Sequence, residues 1–221
     1  EPGYPFYLSL QSMQEWAEAL VELPQRARDA NRYLVTSALG RDRASLDVLH
    51  ANGFTRTDHF NPHLARSLED LVVPATPPGI TIRPVATSEF AERVAVHRAA
   101  WAPSTGFSLE RYLQVRSITA VFDPELDLVA VDDAGRFLSC CIAWADPISE
   151  IGFFEPFGTH PDGRGRGISQ ALVYGALQRL KQKGMRHARI YTAGFNHAAL
   201  RLYQSCGFSE RDREISLIKP L

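Results

Sequence analysis

The chain has 221 residues, enough for one large domain or two small ones. It is 45% hydrophobic and 22% charged, which suits a globular chain with a sizeable core, and its net charge of −1 gives no electrostatic basis for binding nucleic acid or an anionic membrane. No apolar run approaches the roughly 20 residues of a membrane span, and no signal peptide is read at the N-terminus. The three cysteines include the adjacent pair Cys140 and Cys141, which on a strand would point to opposite faces; with Cys206 they predict reduced thiols and a cytoplasmic protein.

In chain order, Met13, Trp16, Ala17, Leu20 and Leu23 fall at helical spacing and stop near Pro24. Tyr33 to Ala38 reads as a strand, followed by the segment Asp42 to Phe54. His59 and His63 are four apart, but Asn61-Pro62 between them argues against the helix that would align two metal ligands, and no metal site is expected. Arg26, Arg28, Arg32, Arg41 and Arg43 make a locally basic, solvated face. Val72 to Gly79 holds three prolines and disfavours both helix and strand. Ile80 to Val85 reads as a strand, and helices follow at Thr87 to Trp101, with Thr87 or Ser88 as cap, and at Ser108 to Arg116. Leu126 to Asp132 and Phe137 to Trp144 read as a hairpin turning at Asp133-Ala134-Gly135.

The densest signal lies beyond. Ile151 to Thr159 reads as a strand, with Glu155 alternating in register with Phe153, Phe157 and Thr159 and so sharing their face. Pro161-Asp162-Gly163-Arg164-Gly165-Arg166-Gly167-Ile168-Ser169 then alternates glycine with arginine and runs into a helix carried by Ile168, Leu172, Ala176, Leu177 and Leu180. Glycines permit a tight turn and close approach, and the first amides of the helix sit unpaired at its positive end, so this loop is a candidate cradle for a diphosphate. Lys181, Lys183 and Gly184 end the helix, and Arg189 to Ala193 is the next strand, completing a parallel crossover. Asn196 to Phe208 closes the region, with Asn196 a good N-cap. This last segment aligns without a gap with Asp42 to Phe54 at a constant offset of 154 positions, and Tyr33 to Ala38 falls on residues 187 to 192 in the same register.

The region from about Ile80 onward resembles the GCN5-related N-acetyltransferase (GNAT) family. That family's phosphate loop runs Arg/Gln-x-x-Gly-x-Gly/Ala; Arg164, Gly167 and Ser169 take its positions, serine being a mild departure. Its Asn-x-x-Ala-Leu-x-Leu-Tyr-x-x-x-Gly-Phe segment is matched by Asn196 to Phe208. The resemblance implies an α/β (α+β) GNAT fold: a mixed, mostly antiparallel sheet whose central parallel strands splay apart, flanked by helices. It implies a partial, non-catalytic GNAT-like lobe at 1–70, a linker at 71–79 and a catalytic domain at 80–221. In the first copy Ser9 to Met13 stands where a glycine-rich loop belongs, and Leu49 replaces Tyr203.

The same resemblance implies acetyl-CoA as co-substrate with no metal, and direct attack by a primary amine on the thioester. The cofactor contacts would come from Phe157, Gly158, Thr159, Arg164, Gly165, Arg166, Gly167, Ile168, Ser169, Asn196 and Tyr203. Tyr203 would protonate the departing thiolate, a modest aid because a phenol is a weaker acid than the thiol it would produce. Glu155 is the candidate general base, with Glu150 the alternative in the turn before the strand, and each also reads as a solvated strand-end carboxylate. Pro156 suits a break in the strand as well as an ordinary bulge. Cys140 and Cys141 are placed away from the motif, and no cysteine nucleophile is expected. The acceptor, a small-molecule or peptide amine, would meet residues 97 to 118, including Trp101, Phe107 and Tyr112. A homodimer is compatible with the chain; no nucleic-acid or membrane partner is expected. The alternative reading is a non-catalytic acyl-CoA-binding or regulatory module.

Overall fold

The computed structural model describes residues 33–103, 106–118 and 121–220. The helix expected over Met13 to Leu23, the segment Ser9 to Met13, and Arg26, Arg28 and Arg32 lie outside the described residues. The described residues fall into two compact units, one of 33–63, 193–195 and 211–220, the other drawn from 64–192 and 196–210.

In the smaller unit, β1 (Tyr33–Leu39) pairs antiparallel with β8 (Ser209–Pro220), from Tyr33 opposite Pro220 to Leu39 opposite Glu214. β2 (Thr55–Ser67) flanks β8 on its other side, and the Thr55 and Thr57 hydroxyls donate to the Ile218 and Ser216 carbonyls at 3.3 Å. Helix α1 (Arg43–Ala51) begins at Asp42, whose carboxylate accepts the Ser45 amide at 3.0 Å. Its buried Leu46 and Leu49 pack with Ala38, Leu217 and Phe54.

The larger unit is built on β3 (Ile80–Pro84), β4 (Asp127–Asp132), β5 (Phe137–Asp146), β6 (Ile151–Thr159) and β7 (His187–Tyr191), arranged β7-β6-β5-β4-β3. All neighbours are antiparallel except β6 and β7, which are parallel. β5 is buried continuously from Leu138 to Ala143, as a strand covered on both faces must be. Cys140 joins Val85, Val96, Val129 and Val131 on the face of α2 (Phe90–Ala100), whereas Cys141 faces Leu172, Leu177 and Leu180 of α4 (Ile168–Gln182). The adjacent cysteines therefore belong to separate cores, as alternation requires. They do not lie away from the motif strand: Cys140 stands opposite Gly158 and Cys141 opposite Phe157.

Ser108 caps α3 (Leu109–Arg116) by accepting the Arg111 amide at 3.2 Å. Neither Thr87 nor Ser88 caps α2. Both lie in a 3-10 turn, Thr87–Glu89, and Glu89 instead accepts the Ala86 amide at 3.0 Å while gripping both terminal nitrogens of Arg83 at 2.7 Å. Thr87 and Ser88 are thus inside the turn that Glu89 closes, and α2 starts after it with no side-chain cap bond from Glu89.

The internal repeat is realised in local geometry. α1 and α5 (His197–Ser205) are each nine residues long. Their caps have φ −80°, ψ 78° at Asp42 and φ −83°, ψ 68° at Asn196, and each helix is followed by a glycine in the left-handed region, Gly53 at φ 83° and Gly207 at φ 82°.

Candidate active site

β6 carries one residue more than β5 can match. Phe154 stands opposite Ala143 and Phe157 opposite Cys141, so both Glu155 and Pro156 face the single position Ile142. This β-bulge reverses the alternation. Phe154 and Phe157 consequently pack toward the same core, with α4 and Tyr203. Glu155 thus shares a face with Phe153 but not with Phe157 and Thr159, which corrects the register drawn from sequence. The side chain of Glu155 is exposed on the opposite face of the sheet, where its Oε1 accepts the Tyr191 hydroxyl at 2.8 Å. Its carbonyl accepts the Trp144 indole N–H at 2.7 Å, and Tyr191 stacks on Phe153. Glu150, the alternative base, lies before β6 with φ 56° and faces Arg186.

The parallel ladder between β6 and β7 is short. It runs from Ile151 opposite His187 to Phe153 opposite Arg189, although β6 continues to Thr159 and β7 to Tyr191. Beyond Phe153 the two strands part, leaving the backbone of β6 from the bulge to Thr159 without β7 alongside. That opening leads to the glycine-rich loop.

In the loop, Gly165 and Gly167 take left-handed φ of 71° and 74°. Nothing would obstruct a Cβ on Gly165, so glycine is required there by backbone conformation rather than by space. Left-handed residues alternating with ordinary ones turn successive amides to one side, forming an anion nest. The first backbone bond of α4 is Ala171 N–H to the Gly167 carbonyl at 3.0 Å, and Gly167 offers no capping side chain, so the helix leaves its leading amides, among them Ile168 and Ser169, to another acceptor. The Arg164 amide does not contribute, because it already donates to the Pro161 carbonyl at 3.1 Å. Its guanidinium reaches the Thr159 and Ala100 carbonyls at 3.3 and 3.2 Å, and that of Arg166 reaches the Asp162 carbonyl at 3.2 Å. The Ser169, Thr159 and Ser139 hydroxyls form a chain with links of 2.8 and 2.9 Å that ends on the Gly158 carbonyl at 2.8 Å. The small residue at 169 thus anchors the cradle to β6 and β5.

Asn196 caps α5 by accepting the Ala199 amide at 3.2 Å. Tyr203, one turn further on, is buried against Phe157 and Phe208, and burial pushes its phenol pKa up. Cys140 and Cys141 are wholly buried and desolvation raises both thiols, which suits neither to nucleophilic attack.

The residues expected to meet the acceptor separate. Tyr112 is fully buried and donates its hydroxyl to Asp127, so it cannot line a pocket. Asp127 also accepts Arg93 Nε at 3.0 Å and Arg116 Nη1 at 2.9 Å, an ion cluster that sequence reasoning missed. Trp101 and Phe107 do converge. They sandwich the His97 ring with centroids 4.1 and 3.9 Å away, and Trp101 lies so close over Gly158 that a Cβ there would fall 2.2 Å from its ring. Desolvation, followed by the nearby Arg93 charge, lowers the His97 pKa to about 4. Tyr191, Trp144 and Ser139 also went unnoticed in the sequence; the parity of β7, which places Tyr191 with Arg189 and Phe153, was the one available signal for Tyr191.

Residues 92–208 match the family model described as the acetyltransferase (GNAT) family. The mycothiol acetyltransferase of Tsukamurella paurometabola is 30% identical over 224 aligned residues, covering 90% of this chain and 76% of its own. That of Nocardia farcinica is 29% identical over 213, covering 87% and 70%. Among solved structures, a GCN5-related N-acetyltransferase from Sphaerobacter thermophilus superposes with a TM-score of 0.73 at 22% identity, over 96% of this chain and 66% of that one. A tandem GNAT protein from the clavulanic acid biosynthesis pathway gives 0.72 at 17%, over 99% and 73%. The fold, the motif positions and these matches lead to one assignment: the chain belongs to the GCN5-related N-acetyltransferase family and is an acyltransferase.

Proposed function

We propose that the chain is an acetyl-CoA-dependent N-acetyltransferase acting by direct attack of a primary amine. The observation that carries this reading is the alignment of two features, the parting of β6 from β7 after Phe153 and the left-handed glycines of the loop to which that opening leads. Amides from Gly165 through Ser169 would hold the diphosphate, and the exposed backbone of Phe157, Gly158 and Thr159 would pair with the pantetheine arm. The thioester supplies an activated acyl group; the chain's own residues orient it and the amine, which alone yields a large rate advantage. Glu155, exposed beside the bulge, accepts the proton that the amine loses. Tyr203 assists the departing thiolate only modestly, since its buried phenol gives up a proton less readily than the product thiol.

The acceptor belongs on the face of Glu155 and Trp101. The relatives are named mycothiol acetyltransferases, which supports an acceptor of the mycothiol class. The smaller unit, which lacks Tyr203's counterpart at Leu49, reads as a non-catalytic lobe, and the chain as a cytoplasmic enzyme.

Calorimetric titration of acetyl-CoA into the purified chain tests this directly, followed by CoA release in the presence of amines of the mycothiol class. Micromolar binding with amine-dependent release is expected. Binding without release from any amine would favour the acyl-CoA-binding module, and no binding would overturn both readings.

A further inference from the structure

Glu155 is exposed, and an exposed glutamate normally samples many rotamers. Here it is held from two directions. The bulge turns its carbonyl out of the ladder, where Trp144 Nε1 takes it at 2.7 Å. Its carboxylate is met by the Tyr191 hydroxyl at 2.8 Å. Tyr191 is itself fixed, since it ends β7 directly after the buried Ile190 and its ring stacks on Phe153 with centroids 5.6 Å apart at 23°. The ring accounts for packing; the hydroxyl is a separate investment and is aimed at the carboxylate.

We propose that Tyr191 is a positioning residue whose hydroxyl, reaching from the end of β7 to Oε1 of Glu155, holds that carboxylate across the opening between β6 and β7. The proposal rests on the reading of Glu155 as the base. In the reaction the amine nitrogen forms a bond to the thioester carbonyl, its proton passes to the free oxygen of Glu155, and the thiolate leaves. A carboxylate with one oxygen already engaged presents the other in a fixed direction, so less ordering remains to be done when the acceptor arrives. The other charged or titratable groups on this face of β7 are Arg189 and His187, two and four residues before Tyr191, and Trp144 on β5 is the neutral donor on the opposite side.

The test follows the Glu155 carboxyl by its 13C shift in the full chain labelled at glutamate Cδ, the resonance being assigned by its loss in Glu155→Gln. Loss of the hydroxyl in Tyr191→Phe takes a donor away from one carboxyl oxygen while keeping the ring, so the Glu155 resonance moves from its wild-type position at the same pH. An unmoved resonance overturns the proposal, because a tyrosine serving only as packing leaves the carboxyl untouched. Should Tyr191→Phe fail to fold, Glu155→Gln reads the same bond from the other side. The Tyr191 phenol, followed by its ultraviolet absorbance, then ionises at lower pH than in the wild type, and an unchanged phenol titration overturns the proposal. Neither measurement needs acetyl-CoA or an acceptor. Failure to bind acetyl-CoA would overturn the reading of the site, whereas an unmoved carboxyl would overturn only the pairing of Tyr191 with Glu155.

Discussion

Trp101 rests on bare backbone at Gly158, a contact that joins the strand beside the opening to the aromatic stack at the end of α2. An alanine there would overlap ring atoms of Trp101 at 2.2 and 2.4 Å and Cβ of Ala100 at 2.8 Å, so the helix end must move. Gly158→Ala is expected to lower stability by about 1–3 kcal/mol, the usual cost of overpacking, measured by denaturant unfolding. His97, inside the same stack, makes a different prediction. Its Nδ1 is buried without a hydrogen-bond partner among the described residues, and its pKa is lowered to about 4. The unfolded chain therefore binds a proton at this residue between about pH 6.5 and 4 while the folded chain does not. Stability is fully present above the unfolded value and declines as pH falls through that window. His97→Phe keeps the stacking and removes the titration, so the difference in stability between the two proteins should shift in the variant's favour from pH 7 to pH 4.5 by thermal unfolding. Equal slopes would mean that the imidazole is protonated as freely in the folded chain as in the unfolded one.

At the level of elements, Arg164 ties the glycine-rich loop to β6 through the Thr159 carbonyl and to the end of α2 through the Ala100 carbonyl. A guanidinium spent on two carbonyls is a strut, and its charge is secondary. Arg164→Ala is thus expected to weaken acetyl-CoA binding by less than about tenfold while leaving its dependence on salt concentration as in the wild type. Calorimetry at two ionic strengths checks this, and a flattened salt dependence would return the side chain to the phosphates. What was legible in the sequence follows the range of the interactions involved. The helix after the loop and the cap at Asn196 rest on contacts within four residues, and both were legible. The bulge at Glu155 and Pro156 is a mismatch in count against β5; Pro156 suited a break or a bulge, but only the pairing with β5 fixes the reversed phase that follows. Arg93 lies on a helix between Phe90 and Val96 and would ordinarily be assigned to solvent; Asp127, 34 residues away, and the ring of Tyr112 give it a reason to be buried. Thr87 and Ser88 misled because capping propensity is local, whereas the 3-10 turn that holds them is closed by Glu89, itself paired with Arg83 on a strand.

At the scale of the whole molecule, all three cysteines of the chain are buried and unbridged. Burial pushes Cys206 up to about 11 and raises the other two as well, so little reactive thiolate exists at neutral pH. Ellman's reagent should label almost none of them in the native protein and all three in guanidinium. Rapid native labelling would show that a core opens far more often than its packing suggests. The repeated order of strand, helix and strand, at 33–67 and 187–220, shows one local solution written twice with different burdens. Tyr203 in the second copy packs against Phe157 of the motif strand, while Leu49 in the first packs, among the described residues, with Ala38, Leu46, Leu217 and Phe54.

The additional residue in β6 sets the phase of everything after it. Even-numbered positions face α4 before the bulge, as with Gly152 and Phe154, and odd-numbered ones face it afterwards, as with Phe157 and Thr159. A chain shorter by one residue at Glu155 or Pro156 would match β5 one for one, with Phe157 still opposite Cys141 and still on the face of Tyr203, and would lose only the bulge. A residue deleted between Phe157 and Thr159 would instead turn Thr159 away from Ser169, whereas the same change at Asp133 to Gly135 merely alters a turn. Along this stretch, length is as much a part of the message as the identity of the letters.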